Sequence, residues 1–310
     1  MSITSLFNKI FNPLSRQFSQ IELGLLRKIE HAHVLTAKLM IQKMKAAGTI
    51  ESLADVEFKV FSQWGEDGII QYLISKIPVP NPLFVEFGVE NYSEANTRFL
   101  LINNNWSGLV MDGGRDNILQ IMNSELYWRY DVAAVHAFIT RENINQLIRS
   151  SGITGDIGLL SIDIDGNDYW VWESISDGLI SPRIVVVEYN SVFGKDLAVS
   201  IPYKADFVRS TAHFSNLYYG ASLKALILLA EKKGYVFVGS NSAGNNAFFV
   251  RKDVSSSIDK SSVELGYVES KFRESRDKNG KLSFLKGKDR LDLLKGLMVY
   301  DVEKSKLVEL

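Results

Sequence analysis

The chain has 310 residues, 46% hydrophobic and 23% charged, with 35 basic and 36 acidic side chains for a formal net charge of −1. That profile belongs to a globular protein with a sizeable core, excludes disorder throughout, and argues against a nucleic-acid partner held by a basic face. Cysteine is absent, so disulfides, thiolate zinc sites and cysteine nucleophiles are excluded together.

The near-neutral total is a sum of unlike parts: residues 1–60 carry +3, residues 61–250 carry −7 and residues 251–310 carry +3. An acidic centre suits hard metal ions and ribose hydroxyls, and solvated surface charge accounts for it equally well. No apolar run approaches the ~18 residues of a membrane span. Met1 to Leu14 lacks the basic and apolar regions of a signal peptide, so a cytoplasmic location is expected.

In chain order, residues 20–47 place apolar side chains at Ile21, Leu25, Ile29, Leu35 and Leu39 and end at Gly48, the pattern of a long amphipathic helix. Its polar face carries Arg27, Lys28, Lys38, Lys43 and Lys45. Such a helix suits packing on the main domain, pairing with a sister subunit in a homo-oligomer, or peripheral contact with an anionic membrane.

From Phe61 onward, short β-branched runs alternate with helical patterns, which predicts a parallel sheet with helices on both faces. The expected strands are Leu83 to Phe87, Gly108 to Met111, Val132 to Phe138, Ile157 to Ile162 and Ile184 to Glu188. The expected helices are Glu66 to Lys76, Glu94 to Asn103, Arg141 to Ser150 and Tyr169 to Ser176. An irregular stretch over residues 191–217 precedes a helix over Ala221 to Lys233 and a closing hairpin of Tyr235 to Gly239 and Ala247 to Lys252. The tail from Ser255, with Arg273, Arg276, Lys278, Lys281, Lys286, Lys288 and Arg290, reads as a partly ordered basic appendage. The division is thus a helical extension over 1–60, a catalytic domain over 61–252 and the appendage over 253–310.

In a doubly wound sheet, ligands sit beyond the carboxyl ends of the strands. The first strand ends in Glu86-Phe87-Gly88, where Gly88 permits close backbone approach and Glu86 can order the loop or hydrogen-bond a cationic amino group. Asp112 ends the second strand at a spacing from Glu86 that suits a ribose-binding carboxylate, or a helix cap. The dinucleotide fingerprint G-x-G-x-x-G is absent.

The fourth strand ends in Asp163-Ile164-Asp165-Gly166-Asn167-Asp168, and the fifth in Glu188-Tyr189-Asn190. Three close carboxylates repel one another unless a cation or donors offset them, so Asp163, Asp165, Glu188 and Asn190 are candidate ligands for Mg2+ or Mn2+. Capping by Asp165 and Asp168 and a turn at Asn190 are the structural alternatives. The same cluster resembles the Asp-x-Asp of nucleotide-sugar glycosyltransferases and, less closely, the nucleophile motif of haloacid dehalogenase phosphatases, whose threonine is here Asn167.

One resemblance spans residues 61–252. The segments Phe61-Ser62-Gln63-Trp64-Gly65-Glu66-Asp67, Phe84-Val85-Glu86-Phe87-Gly88, Asn96-Thr97, Trp106-Ser107-Gly108, Leu160 to Asp168, Tyr219-Gly220-Ala221-Ser222-Leu223 and Asn246 to Val250 are similar to the FkbM-type branch of the class I S-adenosylmethionine-dependent methyltransferases. The resemblance implies a Rossmann-like, mostly parallel sheet with an antiparallel last strand, S-adenosylmethionine as cofactor, and a sugar or nucleotide-linked sugar hydroxyl as acceptor in surface-polysaccharide or glycan biosynthesis. Glycines common in that family after Gly88 are here Glu90, Asn91 and Ser93.

On this reading Gln63, Glu86, Gly88, Asp112 and Asp163 bind the cofactor. A sugar hydroxyl must lose its proton during attack, which calls for a general base or a metal; Asp163 and His213 are the catalytic candidates. Tyr203, Tyr218 and Tyr219 are candidates to line the acceptor cleft. A metal-dependent glycosyltransferase and a non-catalytic methyltransferase-like assembly protein are the alternatives, and the basic ends are expected to help hold an anionic nucleotide-sugar or membrane surface.

Overall fold

The computed structural model describes residues 3–47, 50–272 and 274–310. Gly48, the expected helix stop, and Arg273 of the basic run lie outside the described residues. Two units are distinguished, Met1–Gly48 and Thr49–Leu310. The first is helix α1 (Ile3–Ala47), which begins well before the expected residue 20. Its apolar positions Ile21, Leu25, Leu35 and Leu39 are exposed. Among the described residues no helix is long and apolar enough to cross a membrane.

The second unit opens with α2 (Glu66–Lys76), β1 (Leu83–Phe87), α3 (Arg98–Asn104), β2 (Ser107–Asp112), α4 (Arg115–Met122) and α5 (Glu125–Arg129). It continues through β3 (Val132–His136), α6 (Ile144–Ser150), β4 (Gly155–Ile162), α7 (Asp168–Ser174) and β5 (Ile180–Glu188). Then come β6 (Val199–Ser200), α8 (Arg209–Ala212), α9 (Leu223–Lys232), β7 (Tyr235–Ser240), β8 (Asn246–Arg251), β9 (Met298–Asp301) and β10 (Lys306–Glu309).

Seven strands form one sheet in the order β3-β2-β1-β4-β5-β8-β7. β1 to β5 pair in parallel, and β8 runs antiparallel to both β5 and β7. This is the Rossmann-like arrangement of the class I methyltransferase fold. Its central strands are buried on both faces, so β4 and β5 read as continuous apolar runs. Trp172 of α7 closes one face against Tyr235 and Phe249. Behind the sheet, Asp156 accepts from both Arg183 and Arg251 and ties β4, β5 and β8 together at the end opposite the loops described below.

Several boundaries differ from expectation for local reasons. α3 starts at Arg98, because the buried Glu86 carboxylate takes the backbone N–H groups of Asn96 and Thr97 and holds the preceding residues in a turn. β3 stops at His136, opposite the last residue of β2, and Phe138 turns away from the ladder. α4 and α5 have no counterpart in the expected series.

The tail is not a loose appendage. β9 pairs with β6 and β10, residues 253–310 belong to the same compact unit as the main sheet, and Leu294 and Val299 are buried with Phe193, Ile201 and Leu217. Arg290 is itself buried, donating to Glu269 and Ser270, so part of the basic run serves internal ion pairing.

Candidate functional site

The loops after β1 to β5 enclose a cleft of about 430 Å³ that takes in Gln63, Glu86, Gly88, Asp112, Asp163, Asp165 and Glu188. Its size is that of a small-molecule site.

The two halves of the cleft are pinned at Gly88. Its φ is +72°, and a Cβ there would stand 1.5 Å from the carbonyl oxygen of Asp163, so glycine alone lets the β1 and β4 loops meet. The loop then turns through Glu90 (φ 46°) and Tyr92 (φ 63°), left-handed conformations held without glycine. Glu90 N–H donates to Asp112 Oδ2 at 2.8 Å, while Asp112 Oδ1 accepts from Gly114 N and Asn117 Nδ2. Asp112 therefore joins the β1 and β2 loops as well as facing the cleft. Glu86 performs the loop-ordering role: Asn96 N donates to one oxygen, and Thr97 N and Oγ1 to the other. Burial raises its pKa to about 7 despite these donors.

In the β4 loop, Asp168 accepts from Ile164 N and Gly166 N, each at 2.9 Å, so it is the residue that shapes the turn. Asp165 sits at φ 54°, exposed, with Arg209 Nη1 at 2.5 Å. Oxygens of Asp163, Asp165 and Glu188 lie within 4.8 Å of one another. Burial first, and then the neighbouring carboxylates, push Asp163 and Glu188 well above the usual carboxylate range. Glu188 is 7% exposed, and its Oε2 is buried with no hydrogen-bond partner. An orphaned buried oxygen beside two other carboxylates fits a hard divalent cation.

Asn190 does not join this set. Its Nδ2 donates to the carbonyls of Leu217 and Tyr219, its Oδ1 accepts from Val192 N, and it is buried beneath the cleft as a turn residue. His213 does not line the cleft either; its Nδ1 is engaged with Ser215 Oγ 2.7 Å away. Tyr203, Tyr218 and Tyr219 also stand outside the lining: Tyr203 donates to Glu142, Tyr218 to the carbonyl of Met298, and Tyr219 lies under the Arg209 guanidinium, 3.6 Å from the ring centroid.

The structure adds residues that the sequence did not single out. Arg209, at the start of α8, bridges Asp165 and Glu274 and also donates to the carbonyl of Asn216. Phe138 and Phe207 supply apolar wall, and Phe272 and Glu274 bring the tail into the lining. The ring of Phe207 packs against Gly166, where a Cβ would be 2.3 Å from it. Their only signal was position, Phe138 as the last residue of the expected third strand and Arg209 as a cation within the irregular insert.

No protein-family profile matches the chain, and no curated protein matches it in sequence. Among solved structures, the N-terminal domain of EvdMO1 with SAH bound is similar at TM-score 0.40 and 11% identity, covering 61% of this chain and 80% of that one. The same domain in the presence of SAH and D-fucose gives TM-score 0.39 at 13% identity over 72% and 94%. An S-adenosylmethionine-dependent methyltransferase from Clostridium acetobutylicum ATCC 824 gives 0.39 at 9% over 60% and 90%. Likeness of this degree carries no argument about activity.

Proposed function

We propose that the protein is an S-adenosylmethionine-dependent O-methyltransferase of the FkbM type, acting on a sugar or nucleotide-linked sugar hydroxyl. The observation that carries this reading is the cleft itself. In a class I methyltransferase topology, one cavity joins a ribose-type carboxylate at the end of β2 to a carboxylate cluster at the ends of β4 and β5. The sequence motifs over residues 61–252 support the same reading.

Asp112, Gly88 and Gln63 would hold the cofactor, with Phe138 as apolar wall. The cofactor supplies an electrophilic methyl group on a cationic sulfonium, a charge suited to a cleft lined by Glu86, Asp112, Asp163 and Glu188. Asp163, which lines the cleft at the end of β4, would take the proton of the acceptor hydroxyl. Asp163, Asp165 and Glu188 would hold a Mg2+ or Mn2+ ion, which acidifies a bound hydroxyl. Arg209 offsets part of the negative charge and fixes Asp165.

Calorimetry with S-adenosylhomocysteine tests the reading. Saturable micromolar binding, weakened at least tenfold in Asp112→Ala, is expected. Heat with UDP and Mn2+ but none with S-adenosylhomocysteine would favour the glycosyltransferase alternative, and cofactor binding without transfer to any glycan the assembly-protein one.

A further inference from the structure

Beside the cleft lies a second, wider cavity of about 740 Å³. The two share Gln63, Trp64 and Phe272, and the wall between them is a pair of stacked rings: Trp64 and Phe272 have centroids 5.8 Å apart and planes 17° from parallel. Trp64 is 40% exposed, so part of the indole stays open to solvent.

The polar groups around this vestibule are unevenly committed. Glu57 accepts from Ser242 N and Oγ with its two carboxylate oxygens, so its charge is turned to the protein. Lys59 donates to the Gln63 carbonyl and to Glu94, and its side chain is still half exposed. Lys271 is exposed and has no partner among the described residues. The vestibule thus offers an aromatic face, a free cation and a partly free one.

Resting on the methyltransferase reading for the adjoining cleft, we infer that the vestibule is the acceptor subsite, and that it takes a sugar ring bearing a phosphate ester. The ring's C–H face packs against Trp64, Lys271 and Lys59 receive the phosphate, and the hydroxyl to be modified passes Gln63 into the cleft. Sugars present an apolar face that suits an indole, and a phosphate on an unpaired lysine gains a charge-assisted hydrogen bond. The tail is thereby a specificity element, since Lys271 and Phe272 both come from it.

The test is Trp64 emission in the full chain, isolated as the difference between wild type and Trp64→Phe. Glucose 1-phosphate and UDP-glucose are titrated, with methyl glucoside and UDP as controls. The expected result is a saturable change with both sugar phosphates, weakened about tenfold in Lys271→Ala, the loss of one charge-assisted contact. Both controls should bind more weakly, and S-adenosylhomocysteine affinity should be unchanged in Lys271→Ala. No change with either sugar phosphate at millimolar concentration, or UDP matching UDP-glucose, or methyl glucoside matching glucose 1-phosphate, would overturn the proposal. A Trp64 response in a protein that binds no S-adenosylhomocysteine would leave the vestibule standing and remove the cofactor reading alone.

Discussion

The carbonyl oxygen of Asp163 occupies the space a side chain on Gly88 would need, 1.5 Å from the ideal Cβ position. Backbone from β4 cannot yield without dragging the carboxylate cluster with it. Gly88→Ala is therefore expected to destabilise the protein by more than about 2 kcal/mol, through both the overlap and the positive φ, and to abolish S-adenosylhomocysteine binding. Thermal melts and calorimetry on the same sample check both.

Asp67 and Glu86 set a pH dependence. Asp67 Oδ2 accepts three backbone N–H groups, from Val60, Phe61 and Ser62, while its Oδ1 is buried without a partner. Burial raises Asp67 to about 6 and Glu86 to about 7. For a carboxyl with a raised folded pKa, the folded state keeps a proton that the unfolded chain releases near pH 4, so stability falls as pH rises from about 4 to 7. The melting temperature should thus be higher at pH 5.5 than at pH 8. Asp67→Asn, which keeps an acceptor for the three donors, should flatten that slope and equal or exceed wild type at pH 8.

Glu188→Gln separates charge from shape at the cluster. Without divalent ions it removes a buried, partnerless carboxyl beside Asp163 and should raise the melting temperature at pH 8 by a few degrees. Mn2+ should stabilise wild type and leave this variant unmoved. Equal Mn2+ shifts in both would place the ion elsewhere.

His213 lies outside the cleft lining. His213→Ala should retain methyl transfer within about twofold of wild type, whereas loss of a true general base costs 100-fold or more. Initial rates at saturating acceptor distinguish the two.

The strand series from Leu83 to Glu188 was legible because period and polarity change sharply at each strand end, and the same rule found Asp112, Asp163 and Glu188. For Asn190 the sequence left ligand and turn open, because an amide after a strand looks alike whether it faces the cleft or holds carbonyls behind it, and its bonds to Leu217, Tyr219 and Val192 are those of the turn. Arg209 and Phe272 could not be found that way. Their place depends on long-range packing of the insert and the tail, which carries no local periodicity. The three-stranded sheet was hidden for a related reason, since β6 has two residues and its partner β9 lies about a hundred positions later.

The Trp64–Phe272 stack joins a residue near the start of the compact unit to one near its end. The rim of the cleft is consequently written in two places that emerge from the ribosome far apart in time. The strand-end carboxylates from Glu86 to Glu188 are all made before the closing segment, and the wall dividing cleft from vestibule is completed only when Phe272 follows them.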